Sequence, residues 1–247
     1  MTLEQQFIQE IIIHIDQIIS SKKDSIETRG LKSNAKADNS IVTEIDLLLS
    51  KKIQEIAQKF FPNLNYIDEE IDSIVSFPAL VVDPIDGTKE LNQGISECAV
   101  SIAYMNSSAI DDPKNFAVIY NPLNHFLLHS FQMQTHIGSS FARNLRVMIS
   151  RTEWNQMQLQ SSSDVQYIPI GSIAYKLAML AQGMFEAVIS YREKNIWDIA
   201  AGCILLSKCG GKVFNSHKQQ ITKLDKILLD GPFIWVRDDE VIKRLKV

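Results

Sequence analysis

The sequence predicts a layered α/β fold, and three features of the chain point to it. Two apolar stripes of helical period stand near the N-terminus, and a set of short apolar runs of strand length follows them. Beyond about residue 140, strand-like and helix-like segments alternate. Helices packed on sheets in layers satisfy that order, with a strand-rich first half, residues 1–140, and an alternating second half, residues 141–247.

The first stripe, Leu3, Phe7, Ile8, Ile11, Ile15, Ile18 and Ile19, repeats at close to 3.6 residues and predicts a helix over residues 3–19. The polar stretch from Ser20 to Ser40 contains Gly30 and few large apolar groups, and reads as a surface loop or loose hairpin. A second stripe, Ile45, Leu48, Leu49, Ile53, Ile56, Ala57 and Phe60, predicts a helix capped by Thr43 and stopped by Pro62. Strands are expected at 65–67, 79–82, 99–105, 116–120 and 125–131, with Pro122 and Asn124 in the turn between the last two. In the second half, 145–149, 167–170, 185–191 and 212–214 read as extended, and 172–182 and 198–208 as helical.

Composition narrows the function. A chain of 247 residues, 45% hydrophobic and 22% charged, can build a core without staples. Its 25 basic and 29 acidic side chains give a net charge of −4, which offers no electrostatic footprint for a nucleic-acid polymer. A small anionic substrate held through cations remains compatible with that balance. Cys98, Cys203 and Cys209 are odd in number and show no C-x-x-C spacing, so a reduced, cytoplasmic setting is expected. The isoleucine-rich start is broken by polar residues and lacks a basic leader, and no run is long and apolar enough to span a bilayer.

Three acidic motifs carry the chemistry. In Val81-Val82-Asp83-Pro84-Ile85-Asp86-Gly87-Thr88 an apolar strand is expected to end in a turn that aims two carboxylates and the Ile85 carbonyl at one point, as a hard cation requires. If Gly87 and Thr88 open a helix, their amides can face a phosphate oxygen. Taken alone, Asp, Pro and Gly also make ordinary turns. Ile67-Asp68-Glu69-Glu70 crowds three acids at a strand end, which fits either a cation site or a solvated loop. In Trp197-Asp198-Ile199-Ala200-Ala201-Gly202 an acid begins a helix whose small residues allow close approach of a substrate or of another helix. A first-turn aspartate stabilises a helix by about 0.5–2 kcal/mol and needs no further role.

Together and in this order, the motifs resemble the inositol monophosphatase family of magnesium-dependent, lithium-sensitive phosphomonoesterases. The resemblance extends to Asn39-Ser40-Ile41-Val42-Thr43-Glu44-Ile45-Asp46, to Gly171-Ser172-Ile173-Ala174 and to Gly210-Gly211-Lys212-Val213, nearly the whole chain. It implies a fold of the sugar-phosphatase type, with a metal-binding first half, a substrate-binding second half and a possible homodimer. It implies two or three Mg2+ ions, with Glu70, Asp83 and the Ile85 carbonyl on one and Asp83, Asp86 and Asp198 on a second. Thr88, paired with Asp46, would orient the attacking water together with Glu70. Gly87 and Thr88 would cradle the phosphate, and Gly171, Ser172 and Asp198 would contact the small phosphorylated substrate.

Departures from the family pattern bear on substrate. Asp68 stands where glycine or serine is usual and adds charge near the metals, and Ile41 replaces a proline. Tyr191 occupies the position, seven residues before Asp198, where inositol phosphatases carry a glutamate that contacts inositol hydroxyls; Glu193 reaches it only after a two-residue shift. The stretches Gly171-Ser172-Ile173-Ala174-Tyr175-Lys176 and Asn195-Ile196-Trp197-Asp198 look more like bacterial 3′(2′),5′-bisphosphate nucleotidases of the family. Lys176, Arg192 and Lys194 are then candidates for a second phosphate, each with the alternative of being an ordinary exposed base. Inositol 1-phosphate or a sugar phosphate is the alternative substrate. A regulatory binding protein on the phosphatase fold is the non-enzymatic alternative. His125 and His129 are spaced for zinc only on a helix, whereas their segment reads as a strand.

Overall fold

The computed structural model describes residues 1–22, 44–69, 74–132 and 144–245. The expected loop beyond Lys22, the Thr43 cap, Ile41 and Glu70 lie outside the described residues.

The two stripes form α1 (Leu3–Ser21) and α2 (Glu44–Phe60). Thr2 and Gln5 close a reciprocal capping box at the start of α1, satisfying two amides that a helix leaves unpaired. Five strands then build the first sheet: β1 (Asn65–Asp68), β2 (Ala79–Asp86), β3 (Ala99–Met105), β4 (Phe116–Asn121) and β5 (Phe126–His129), adjacent in that order. Only β1 and β2 run parallel. A five-residue helix, α3 (Thr88–Asn92), interrupts the meander after β2.

The second half adds β6 (Leu145–Ile149), α4 (Arg151–Met157), β7 (Val165–Pro169), α5 (Ile173–Ala181), β8 (Ala187–Ser190), β9 (Lys194–Asn195) and α6 (Ile196–Lys208). It ends with β10 (Lys212–Phe214), β11 (Leu228–Leu229), β12 (Phe233–Val236) and α7 (Asp239–Arg244). The second sheet has the order β10-β12-β8-β6-β7, with β6 parallel to both β7 and β8, and β9 pairs with β11 apart from it.

Strand alternation sorts the side chains into five layers. Leu80, Val82, Val100, Ile102 and Val118 face α1 and α2, while Ala79, Val81, Ala103 and Ile119 face a central layer made of α5 and α6. Met148, Val188, Phe233 and Trp235 of the second sheet close that central core from the other side. The outer face of the second sheet, with Val147, Ile189 and Ile234, is covered by Val241 and Ile242 of α7. The central core therefore draws side chains from both halves of the chain.

Four expectations change. β2 does not stop at residue 82 but continues to Asp86, because β3 pairs with it across a register shift between Asp83 and Asp86; the two acids sit on a bulged strand rather than in a turn. α6 begins at Ile196, so Asp198 is its third residue. The final strand and helix, β12 and α7, were not anticipated, nor was α4, although Ser150-x-x-Glu153 is a capping pattern. The small residues after Asp198 serve a helix contact: a Cβ on Gly202 would lie 2.5 Å from Leu177 Cβ of α5. Gly202→Ala is expected to lower stability by about 1–3 kcal/mol through overpacking; an unchanged midpoint in chemical denaturation would contradict the close α5–α6 contact.

Candidate active site

Residue 83 has the parity of Ala79 and Val81, so its side chain enters the central layer, where α5 and α6 begin. Asp83 is almost completely buried, and its Oδ1 has no hydrogen-bond partner among the described residues. Its carboxyl is held far above the usual range, first by burial and then by the charges of Asp86, Glu69, Asp198 and Asp46. Those causes also show which groups the fold has brought together: one acid from β2's centre, one from its end, one from the β1 end, one from α2 and one from α6.

Asp86 is tied to the start of α5. Its Oδ2 accepts from Ser172 Oγ at 2.6 Å and from the Ala174 amide at 2.5 Å. Burial raises its pKa, while these two donors and the positive charges of Lys176 and Lys194 oppose the rise. Ser172 Oγ also caps α5 by accepting from the Tyr175 amide, and its backbone sits at a φ of +51°, unusual for a residue with a side chain. Asp198 accepts from the Asn195 amide at 2.8 Å through Oδ2. Burial, and then Asp86, push its pKa up to about 7 against the pull of that amide and of Lys194.

Between Asp86 and α3, Gly87 turns the chain with a φ of +95°. A Cβ there would stand 2.7 Å from the Glu97 carbonyl oxygen, so glycine is required on two counts. Thr88 opens α3 as expected, and its hydroxyl donates to the Ile85 carbonyl at 2.9 Å. Asp46 itself is buried on α2. Asp68 is fully buried on the face toward α2, where it accepts from Ser50 Oγ at 3.0 Å. The alternation of β1 thus sends it away from the central layer that Asp83 enters.

A cleft of about 340 Å3 opens beside these acids, with Asp86, Gly87, Thr88, Gly171, Ser172 and Asp198 on one side. Its other lining residues include Glu90, Ser150, Arg151 and Glu153, none of which was singled out in the sequence. Arg151 forms a bidentate pair with Glu97, whose carboxylate also accepts from the Gly171 amide, so the ion pair pins the loop that presents Ser172. Burial raises the Glu97 pKa, but Arg151 and that amide outweigh it and leave it low. Lys176 is not an exposed base. It is buried in α5, donates to the Ile170 carbonyl at 2.9 Å, and burial brings its pKa down to about 8. Arg192 is exposed and Lys194 half-buried on the same wall.

The donor set suits a hard divalent cation. It consists of carboxylate and carbonyl oxygens, it includes an orphaned buried oxygen on Asp83, and its mutual repulsion is what a cation would relieve. Among the described residues no three acidic, histidine or cysteine side chains converge on one point, and Glu70 is not among them. His129 lies on a strand and His125 contacts Tyr120, which leaves no paired-histidine metal site there. Cys98, Cys203 and Cys209 are buried free thiols. No helix among the described residues is long and apolar enough to cross a membrane.

Comparison with known proteins agrees with the geometry. Residues 4–243 match the inositol monophosphatase family. The chain belongs to that family and is a metal-dependent phosphoric monoester hydrolase, a class that acts on small phosphorylated substrates. It is 26% identical to the 3′(2′),5′-bisphosphate nucleotidase CysQ of Haemophilus influenzae, over 82% of each chain. It is also 26% identical to a fructose-1,6-bisphosphatase/inositol-1-monophosphatase of Thermotoga maritima, over 93% of this chain and 90% of the relative. The Nus factor SuhB of Pasteurella multocida is 25% identical over 78% of this chain and 79% of the relative. Among solved structures, an inositol monophosphatase of Thermotoga maritima superposes with a TM-score of 0.76 at 21% identity, covering 98% of this chain and 96% of that one. An IMPase/NADP phosphatase in complex with Mg2+ and phosphate gives 0.77 at 18%, covering 100% and 97%.

The Asp198 shift makes a stability prediction. Its pKa of about 7 lies above the reference value of 3.8, so folding without metal retains a proton that the unfolded chain releases. That contribution is present in acid and is lost as pH rises from about 4 to about 7. In the presence of chelator, Asp198→Asn should therefore gain melting temperature relative to the parent across that interval. A difference that stays constant with pH would refute the shift.

Proposed function

We propose that the chain hydrolyses a 3′(2′),5′-bisphosphate nucleotide with magnesium, in a reduced cytoplasmic setting, using a water activated at the carboxylate cluster. Glu70, Asp83, the Ile85 carbonyl, Asp86 and Asp198 would hold two or three ions, which supply a lowered water pKa and neutralise charge on the phosphoryl and leaving oxygens. With its proton committed to the Ile85 carbonyl, the Thr88 hydroxyl offers only lone pairs, and so holds a water as acceptor of one of its protons. Asp46 and Glu70 complete that role in the family pattern. Gly87 and Thr88 supply amides to the phosphate, and Gly171 and Ser172 border the substrate.

The observation that carries the substrate choice is the set of bases in the cleft lining beside the acids. Lys176, Arg192 and Lys194 line the cleft together, and Lys176 is buried there at the expense of its hydration. A second phosphate gives such a wall a partner; the hydroxyls of inositol do not. Tyr191 packs its ring against the outer core beside Val165 and Tyr167, so it supplies no carboxylate to a sugar hydroxyl, and Glu193 is exposed and outside the cleft lining.

Rates on adenosine 3′,5′-bisphosphate, inositol 1-phosphate and fructose 1,6-bisphosphate with Mg2+ test the choice, the first being expected to give the highest kcat/KM. A preference for inositol 1-phosphate would overturn it. Asp86→Asn and Asp198→Asn should each reduce Mg2+-dependent phosphate release by at least about two orders of magnitude. Undiminished turnover by either folded variant would remove the carboxylate cluster from the mechanism. Inhibition of the parent by millimolar lithium is expected on the same reading.

A further inference from the structure

Glu153 is a buried carboxylate on the cleft wall contributed by α4, only 4% exposed, and nothing in the hydrolytic scheme uses it. Its Oε1 accepts from Ser190 Oγ at 3.0 Å, from the Tyr191 amide at 2.7 Å and from the Arg192 amide at 3.3 Å. Its Oε2 accepts from Ser150 Oγ at 2.5 Å. A carboxylate has about four acceptor sites. This one is therefore occupied by the protein and is not offered to a substrate hydroxyl.

What those bonds hold is the exit of β8. Ser190, Tyr191 and Arg192 are the residues at which the second sheet releases the chain toward the cleft, and all three donate to one carboxylate. A second tie from the same helix reinforces the first: Gln156 Oε1 accepts from Arg192 Nη2 at 2.7 Å. Two residues further on, Lys194 enters the β9–β11 pair, and its positive charge is felt by Asp86, Asp198 and Glu153 alike. Removing the Glu153 carboxylate would leave the buried Ser190 hydroxyl and two amides without their acceptor. The segment would have to shift to find new partners, and Arg192 and Lys194 would move with it.

We propose that Glu153 is a positioning residue for substrate specificity, fixing the Ser190–Lys194 segment so that Arg192 and Lys194 present their charges to a second anionic group of the substrate. The inference deepens the bisphosphate reading and rests on it. Glu153 acts on how the distal anion is held, not on the phosphoryl group being transferred, so its loss should appear in KM and depend on the substrate.

The test compares adenosine 3′,5′-bisphosphate with adenosine 3′-monophosphate at saturating Mg2+, in the parent, Glu153→Ala, Glu153→Gln and Arg192→Ala/Lys194→Ala. Glu153→Ala is expected to raise KM for the bisphosphate about tenfold, with a rise at least about fivefold larger than that for the monophosphate and with kcat altered less than about threefold. Glu153→Gln keeps an oxygen acceptor for Ser190 and the two amides, so it should fold and show a smaller shift in the same direction; it carries the test if the alanine variant does not fold. Adding Glu153→Ala to the Arg192→Ala/Lys194→Ala pair should raise KM little further, because the groups being positioned are already absent. Equal KM rises for both substrates, a fall confined to kcat, or additive effects with the double variant would each overturn the assignment. A parent enzyme with no preference for the bisphosphate would overturn the substrate reading and this inference with it, an outcome visible before any variant is made.

Discussion

Like charges gathered in a dry place constrain everything else in this molecule. Asp83, Asp86 and Asp198 are all buried with raised pKa values; Asp86 and Asp198 push up that of Asp83, and Asp86 pushes up that of Asp198. Such a cluster is costly unless each carboxylate finds donors or a cation. Asp86 and Asp198 receive donors from the protein, at the starts of α5 and α6, whereas Asp83 keeps an oxygen with no partner among the described residues. The fold thus goes part of the way toward stabilising the cluster, and the remaining demand is what a divalent ion meets.

The layers explain how three distant segments reach one place. Parity along β2 sends Asp83 toward the central helices instead of toward α1 and α2, and the register shift before Asp86 brings the second acid to the start of α5. The close α5–α6 contact, made possible by Gly202, keeps the two helix starts side by side. Arg151 and Glu97 then tie the second half of the chain to the first across the mouth of the cleft, through the same loop that presents Ser172. Each of these is a packing or hydrogen-bonding constraint, and each would degrade the site without touching a carboxylate.

Helical period made α1 and α2 legible in the sequence, and apolar runs marked most of the strands, because both are one-dimensional signals of burial. The acidic motifs were legible as a set for a different reason: their order resembles a family, and local spacing alone favoured turns and caps. What stayed hidden depends on contacts between segments. Lys176 reads as a solvent-exposed base on a helix until α5 is placed between two sheets. Glu153 carried no signal of its role in the sequence, because the Ser190, Tyr191 and Arg192 donors that give it its place lie 37 to 39 residues away in the chain. Asp68 looked like part of an acidic run, yet alternation sends it to Ser50. The continuation of β2 to Asp86 depends on pairing with β3 across a register shift that contains Pro84, a residue with no amide to give the ladder.

The proposed metal site and the bases beside it draw on different elements. The acids that would hold metal and the turn that would cradle phosphate come mainly from the first sheet and the helix starts beside it, whereas Glu153 comes from α4, Arg192 from the exit of β8 and Lys194 from β9. The two sets are linked through Lys194, whose positive charge acts on both Asp86 and Asp198. A wall built around an internally occupied carboxylate also differs in kind from one that offers a carboxylate to a ligand: Glu153 spends its acceptor sites on the Ser150 and Ser190 hydroxyls and on the Tyr191 and Arg192 amides.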